Sequence, residues 1–162
     1  MRRAAAGTVV FFFAAPGVMA GLVPWLITGW DRPVGPFGVL DVVGGVLVVG
    51  GLAMVVDCFA RFVREGVGTP APVAPTEFLV QGGLYRHLRN PMYVGVASMI
   101  LGQVLVLRST DLLWWWLVFL VAVVGIVKGY EEPTLREQFG TSYEHYRAAV
   151  PGWWPRLTPW RG

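Results

Sequence analysis

Charge is scarce in this sequence: of 162 residues only 14% are Asp, Glu, Lys or Arg, against 55% hydrophobic, far from the balance of a water-soluble domain of this size. There is one cysteine, Cys58, which excludes an internal disulfide framework and a CxxC metal or redox pair and reads as a small helix residue. The net charge of +3 is not gathered into a basic stripe with polar neighbours, so composition argues against nucleic-acid binding. No apolar run carries a charge near its middle, which leaves a transporter pathway without its ionisable residues.

Long apolar runs are present instead. They predict membrane helices at about residues 5–28, 37–59, 91–107 and 112–129. The first run follows Arg2 and Arg3, exceeds the core of a signal peptide and is succeeded by others, so it reads as a span that Pro16 and Pro24 kink or fray. Asp41 and Asp57 stand near the two ends of the second run and are expected to reach the interface or a neighbouring helix. Its glycine pairs, Gly44 with Gly45 and Gly50 with Gly51, allow close helix packing and leave the oligomeric state open. Trp25, Trp30, Trp114, Trp115 and Trp116 are placed at headgroup level.

Between the second and third runs, residues 66–75 hold three prolines and two glycines and cannot be a helix interior. The N-terminus, this second connector and the C-terminal tail carry two, four and five Lys or Arg, and the other two connectors one each. The positive-inside rule then predicts an all-α, multi-pass protein of the cytoplasmic membrane: a single domain over 1–162, about four transmembrane helices, both termini cytoplasmic and an amphipathic cytoplasmic C-terminal helix.

Two stretches on that cytoplasmic face carry most of the chemistry. Residues 82–95, GGLYRHLRNPMYVG, set Arg86, His87 and Arg89 against a helix that Pro91 starts, because the residue before a proline is pushed out of the α region. The tail from 129, GYEEPTLREQFGTSYEHYRAAVPGWWPR, opens with Glu131 and Glu132 at the end of the fourth run. Pro133 ends or bends that helix and Gly140 breaks the next one. Leu135 shares a face with Phe139, and Tyr143 with Tyr146 and Arg147. Trp153 and Trp154 suit the membrane surface. Taken singly these are topology anchors, surface histidines and an interfacial helix. Their convergence on one face indicates a site.

The residues Arg89, Asn90, Pro91 and Tyr93, followed after a helix by Glu131, Glu132, Leu135, Phe139, Gly140, Tyr143, Tyr146, Val150 and Pro151, resemble the C-terminal half of the isoprenylcysteine carboxyl methyltransferase family. These are integral membrane methyltransferases related to phospholipid methyltransferases. The first two spans match only in hydropathy. Asn90 stands where many members have His, and Gly152 where an Arg commonly follows Val-Pro, which leaves Arg147 or Arg156 to stand in.

The resemblance implies S-adenosylmethionine as donor, no metal, and a lipidic or membrane-borne acceptor arriving from the bilayer. It places catalytic roles on Arg89, Glu132 and His87. It places the cofactor on segment 130–158, among Tyr85, Arg89, Asn90, Pro91, Tyr93, Gly95, Glu131, Glu132, Leu135, Phe139, Tyr143 and Tyr146. The residue types suit that cofactor: carboxylates for its ammonium and ribose diol, a cation such as Arg89 for its carboxylate, aromatic walls for adenine. O-methylation of an isoprenylcysteine-like carboxylate is the first expectation, with phospholipid N-methylation or S-methylation of a small thiol as alternatives. A carboxylate attacks as it is; an amine or thiol must first lose a proton, to His87, His145, Glu131 or Glu132. A lipid-binding scaffold is the reading from another class, and would need the cations but neither the Glu pair nor the spaced tyrosines.

Overall fold

Apolar runs separated by Gly- and Pro-rich connectors should fold as helices alone, and among the described residues the computed structural model contains helices and turns but no strand. It describes residues 16–65 and 79–161. The start of the first predicted span, with Arg2 and Arg3, and the connector at 66–78, with Glu77, lie outside the described residues.

Helix α1 (Val18–Thr28) opens with a π turn at Val18–Leu22. Helix α2 is Val39–Glu65; a 3-10 turn at Gly83–Arg86 precedes α3, Pro91–Leu107. Helix α4 (Thr110–Ile126) continues through a second π turn, Val127–Glu131, into α5 (Glu132–Ala149). The stretches Val39–Arg61 and Thr110–Ala149 contain apolar runs long enough to cross a membrane, whereas Val18–Thr28 and Pro91–Leu107 are shorter apolar helices.

Both π turns precede a proline, and the first shows why it is tolerated. The Val23 N–H bonds five residues back to the Val18 carbonyl, and Pro24 has no N–H, so Met19 and Ala20 lose their usual α-helical donors. Trp115 Nε1 donates to the Met19 carbonyl at 3.0 Å and Gln103 Nε2 to that of Ala20 at 2.7 Å. Side chains of α4 and α3 thereby satisfy the backbone of α1, as an apolar surrounding demands. Here the structure departs from a simple aromatic belt. Trp114 is exposed, but Trp115 and Trp116 turn inward, Trp116 donating to the Ala97 carbonyl at 2.9 Å.

Helices α2 and α3 form the principal pair. Gly44 faces Gly102 and Gly51 faces Gly95, an antiparallel register that repeats every seventh residue on each helix, the coiled-coil period. A Cβ on Gly44 would fall 2.6 Å from the Gly102 carbonyl oxygen, and one on Gly95 2.9 Å from that of Gly51. One glycine of each predicted pair is thus spent on this contact, while Gly45 and Gly50 meet open space.

At the other end of α2, Asp41 does reach a neighbouring helix. Its side chain, 1% exposed, accepts from Arg32 at 2.9 Å, from Arg108 at the end of α3 at 3.1 Å and from the Gly38 N–H at 2.8 Å. Asp57 pairs one helical turn on with Arg61, at 3.0 Å.

Candidate functional site

Asn90 has φ −118° and ψ 50°, outside the helical region that Pro91 denies it, and residues 87–90 lead from the 3-10 turn to α3 as a turn and a bend. The His87 and Leu88 N–H groups are satisfied within the turn by the Leu84 carbonyl, and the C-terminal residues cover the rest of the 86–90 backbone. The Arg89 N–H donates to the Pro151 carbonyl at 2.9 Å, and the Asn90 N–H and Nδ2 both to that of Gly152, at 3.3 and 3.0 Å. In return the Arg156 and Trp160 N–H groups each donate at 3.0 Å, to the His87 and Arg86 carbonyls.

Arg89 is the hub of this junction. Its Nε donates to the Val150 carbonyl at 2.9 Å, and Nη1 donates to Glu132 Oε1 at 2.9 Å and to the Tyr143 hydroxyl at 3.1 Å. Arg147 approaches the other Glu132 oxygen, with Nε 3.4 Å from Oε2. Among the described residues that Nε is buried without a hydrogen-bond partner, beside the Glu132 carboxylate. The Tyr93 hydroxyl donates to Glu131 Oε1, tying the first turn of α3 to the second π turn. Five expected residues, Arg89, Tyr93, Glu131, Glu132 and Tyr143, therefore meet at the start of α5.

Tyr143, Tyr146 and Val150 are buried together, with Leu135 and Phe139 packed against them as an apolar wall. This face exists because Gly140, at φ 51°, kinks α5 and realigns its second half. Burial pushes the Tyr143 and Tyr146 phenols above the ordinary value, with Arg89 opposing in both cases. Tyr146 donates to the Tyr85 carbonyl at 2.7 Å and stacks obliquely on Trp160, ring centres 5.3 Å apart. Outside the cluster, the Arg136 hydrogen bond holds the exposed Glu144 below the usual carboxylate range.

Other expected residues serve different neighbours. The Tyr85 hydroxyl bonds to Cys58 on α2, and burial raises its phenol further still. Gly95 lies in the α2–α3 contact, Pro91 is buried at its helix start, and Asn90 is occupied by Gly152. His87 Nδ1 is 2.8 Å from the Arg156 carbonyl, so a neutral ring carries its proton on Nδ1 and leaves Nε2 as an acceptor. Gly152 sits against Arg89, where a Cβ would come 3.2 Å from Nη2. Arg156 holds the Ala149 carbonyl at 2.8 Å, so of the two stand-in cations only Arg147 borders Glu132. Arg147 follows Tyr143 by four residues, which is the sequence signal that sets the two on one face of α5.

Apolar helices ending in a cation, carboxylate and tyrosine cluster define a helical membrane protein with a polar site at one end of its bundle. The family model described as phospholipid methyltransferase matches residues 39–142, and the chain belongs to that family. Membership makes it a membrane methyltransferase of a family that acts on lipid-like substrates. No curated protein and no solved structure matches the chain.

Proposed function

We propose that this protein transfers a methyl group from S-adenosylmethionine to an acceptor carried by a membrane lipid, with a phospholipid amine as first choice. The observation that carries the reading is the junction of Arg89, Glu132, Tyr143 and Arg147, which leaves a buried donor on Arg147 next to the Glu132 carboxylate. A zwitterionic amino-acid group fits such a pair: its carboxylate to Arg147, its ammonium to Glu132 or Glu131. Leu135 and Phe139 supply an apolar wall for a purine. When bound, the cofactor supplies a methyl group activated on a sulfonium.

The protein's own contribution is placement and exclusion of water. Arg89 acts as a positioning residue, since its Nε and Nη1 already hold Val150, Glu132 and Tyr143. Glu131, which accepts from the Tyr93 hydroxyl, is a carboxylate at the junction that can take the proton an amine must lose and a carboxylate acceptor does not carry. The family favours an amine over the isoprenylcysteine carboxylate expected first.

The same reading has four crossings with both termini and α5 in the cytoplasm. The alternating cation count supports it. So does the separation of the Asp41 cluster, at the start of α2, from Arg61 and the 86–90 segment at its far end.

The test uses the full chain in lipid nanodiscs, with calorimetric titration of S-adenosylmethionine and transfer of labelled methyl to phosphatidylethanolamine or to a prenylated cysteine. Saturable binding, with label on the amine, is the expected result, both lost in Glu132→Gln and in Arg147→Ala. A folded protein that neither binds the cofactor nor labels any lipid overturns the proposal. Label on the prenylated carboxylate alone overturns the choice of amine.

A further inference from the structure

A second polar site lies on the other side of the 83–87 turn, away from the Arg89 and Glu132 junction. It is an open cleft of about 740 Å³ between the C-terminal part of α2, the turn and Pro159 of the covering C-terminal segment. One wall is apolar, from Ala53, Met54 and Leu84, and the other carries Asp57, Arg61, Arg86 and His87. Arg61 is tied to Asp57 and packs flat on Gly83, whose φ of 50° and missing side chain make room for it. Arg86 is exposed and its carbonyl accepts from Trp160, while its guanidinium makes no hydrogen bond among the described residues. Two guanidinium groups and an imidazole thus stand around one carboxylate that already has a partner, which leaves the cleft with a net positive charge.

We infer that this cleft binds a membrane phospholipid by its phosphate, gripped by Arg86 with Arg61 and His87 beside it. Three observations choose a lipid over a soluble anion. The volume falls in the range of small-molecule sites and is far larger than a bare phosphate needs. Arg61 is the last residue of the apolar stretch Val39–Arg61, so the cleft sits at headgroup depth. Along α2, Val49, Leu52 and Val56 are exposed apolar side chains next to the exposed Ala53 of the cleft wall, a surface along which acyl chains can descend. The site is independent of methyl transfer: a lipid held here needs no cofactor, and its phosphate is the recognised group whatever head it bears.

The experiment titrates the detergent-purified full chain with dihexanoyl phosphatidylglycerol, and in parallel with inorganic phosphate and with uncharged dihexanoylglycerol, read by calorimetry. Wild type is expected to bind the phospholipid saturably and the other two at least tenfold more weakly. Arg86→Gln, a change at an exposed side chain, is expected to weaken phospholipid binding about tenfold, the size of one charge-assisted contact. Its affinity for S-adenosylmethionine is expected to stay that of wild type. Added salt should weaken phospholipid binding in wild type more than in the variant. Absent binding, or binding equal in wild type and Arg86→Gln, overturns the site. Inorganic phosphate binding as tightly as the lipid overturns the lipid as occupant. Either failure leaves cofactor binding, and so the methyl-transfer reading, untouched.

Discussion

Arg89 Nη1 and Glu132 Oε1 lie 2.9 Å apart, with the two side chains only 14% and 13% exposed, and that ion pair joins the residue before the Asn90-Pro91 step to the first turn of α5. A guanidinium is required because Nε and Nη1 point to different partners, the Val150 carbonyl and the Glu132–Tyr143 pair. Arg89→Ala should cost about 3 kcal/mol of stability, as breaking one side of a buried pair does, and Arg89→Lys should recover little of it. Unfolding in mixed micelles with a graded denaturing detergent measures both.

Arg147 should separate from Arg89 in the same assay. It is 37% exposed, and its contacts with Glu132 and Glu144 lie at 3.4 and 3.6 Å, so Arg147→Ala should lower stability by less than about 1 kcal/mol. Its cofactor affinity should nonetheless fall at least tenfold, through loss of one charge-assisted contact. Calorimetry on a variant with wild-type unfolding behaviour reads this directly, and unchanged affinity would remove Arg147 from the site.

Helix packing gives a steric prediction. Gly44→Ala or Gly102→Ala drives a methyl into the facing backbone and should cost about 1–3 kcal/mol. Gly45→Ala, one residue along α2 and facing open space, should be near neutral. Comparing the three midpoints tests the register of the α2–α3 pair.

Alkaline stability follows from the two buried phenols. Tyr143 and Tyr146 are raised above the ordinary value of 10.0, so their contribution is fully present below that pH and is lost as pH rises through the folded values. The unfolded chain ionises first and is favoured there. Stability should therefore decline above about pH 10, and the decline should be shallower in Tyr143→Phe, measured as midpoint against pH.

At the opposite end, Asp41→Ala leaves Arg32 and Arg108 without their shared carboxylate. Arg108 ends α3 in the left-handed region, at φ 51°, a conformation that its contact with Asp41 helps hold. Asp41→Ala should lower stability while leaving cofactor affinity intact, since the two clusters occupy different ends of the bundle. A matching loss of cofactor binding in folded protein would show that the ends are coupled.

Much of this was legible along the chain. Apolar run lengths placed α2, α3 and α4, and the extreme shortage of charge made a helical membrane protein the natural class. Pro91 marked the start of α3 and Gly140 the break in α5, because each restricts the backbone by its own covalent structure. The spaced Glu, Phe and Tyr residues after the fourth run pointed to the family whose relatives the family match now includes. Which residue of each glycine pair packs, which tryptophans turn inward and which cation borders Glu132 depend on how one helix is rotated against another. Nothing local encodes that rotation.

The sequence by itself determined where the apolar helices α2, α3 and α4 run, the start of α3 at Pro91 and the break in α5 at Gly140, since these follow from hydrophobic run length and from the backbone limits of proline and glycine. The tertiary structure alone decided that Arg89 is a strut and that Arg147 carries the unpaired donor. The contacts responsible join Arg89 to residues 43 and 61 positions away, at Glu132 and Val150. Only the folding of the C-terminal segment over residues 86–90 brings them within hydrogen-bonding distance.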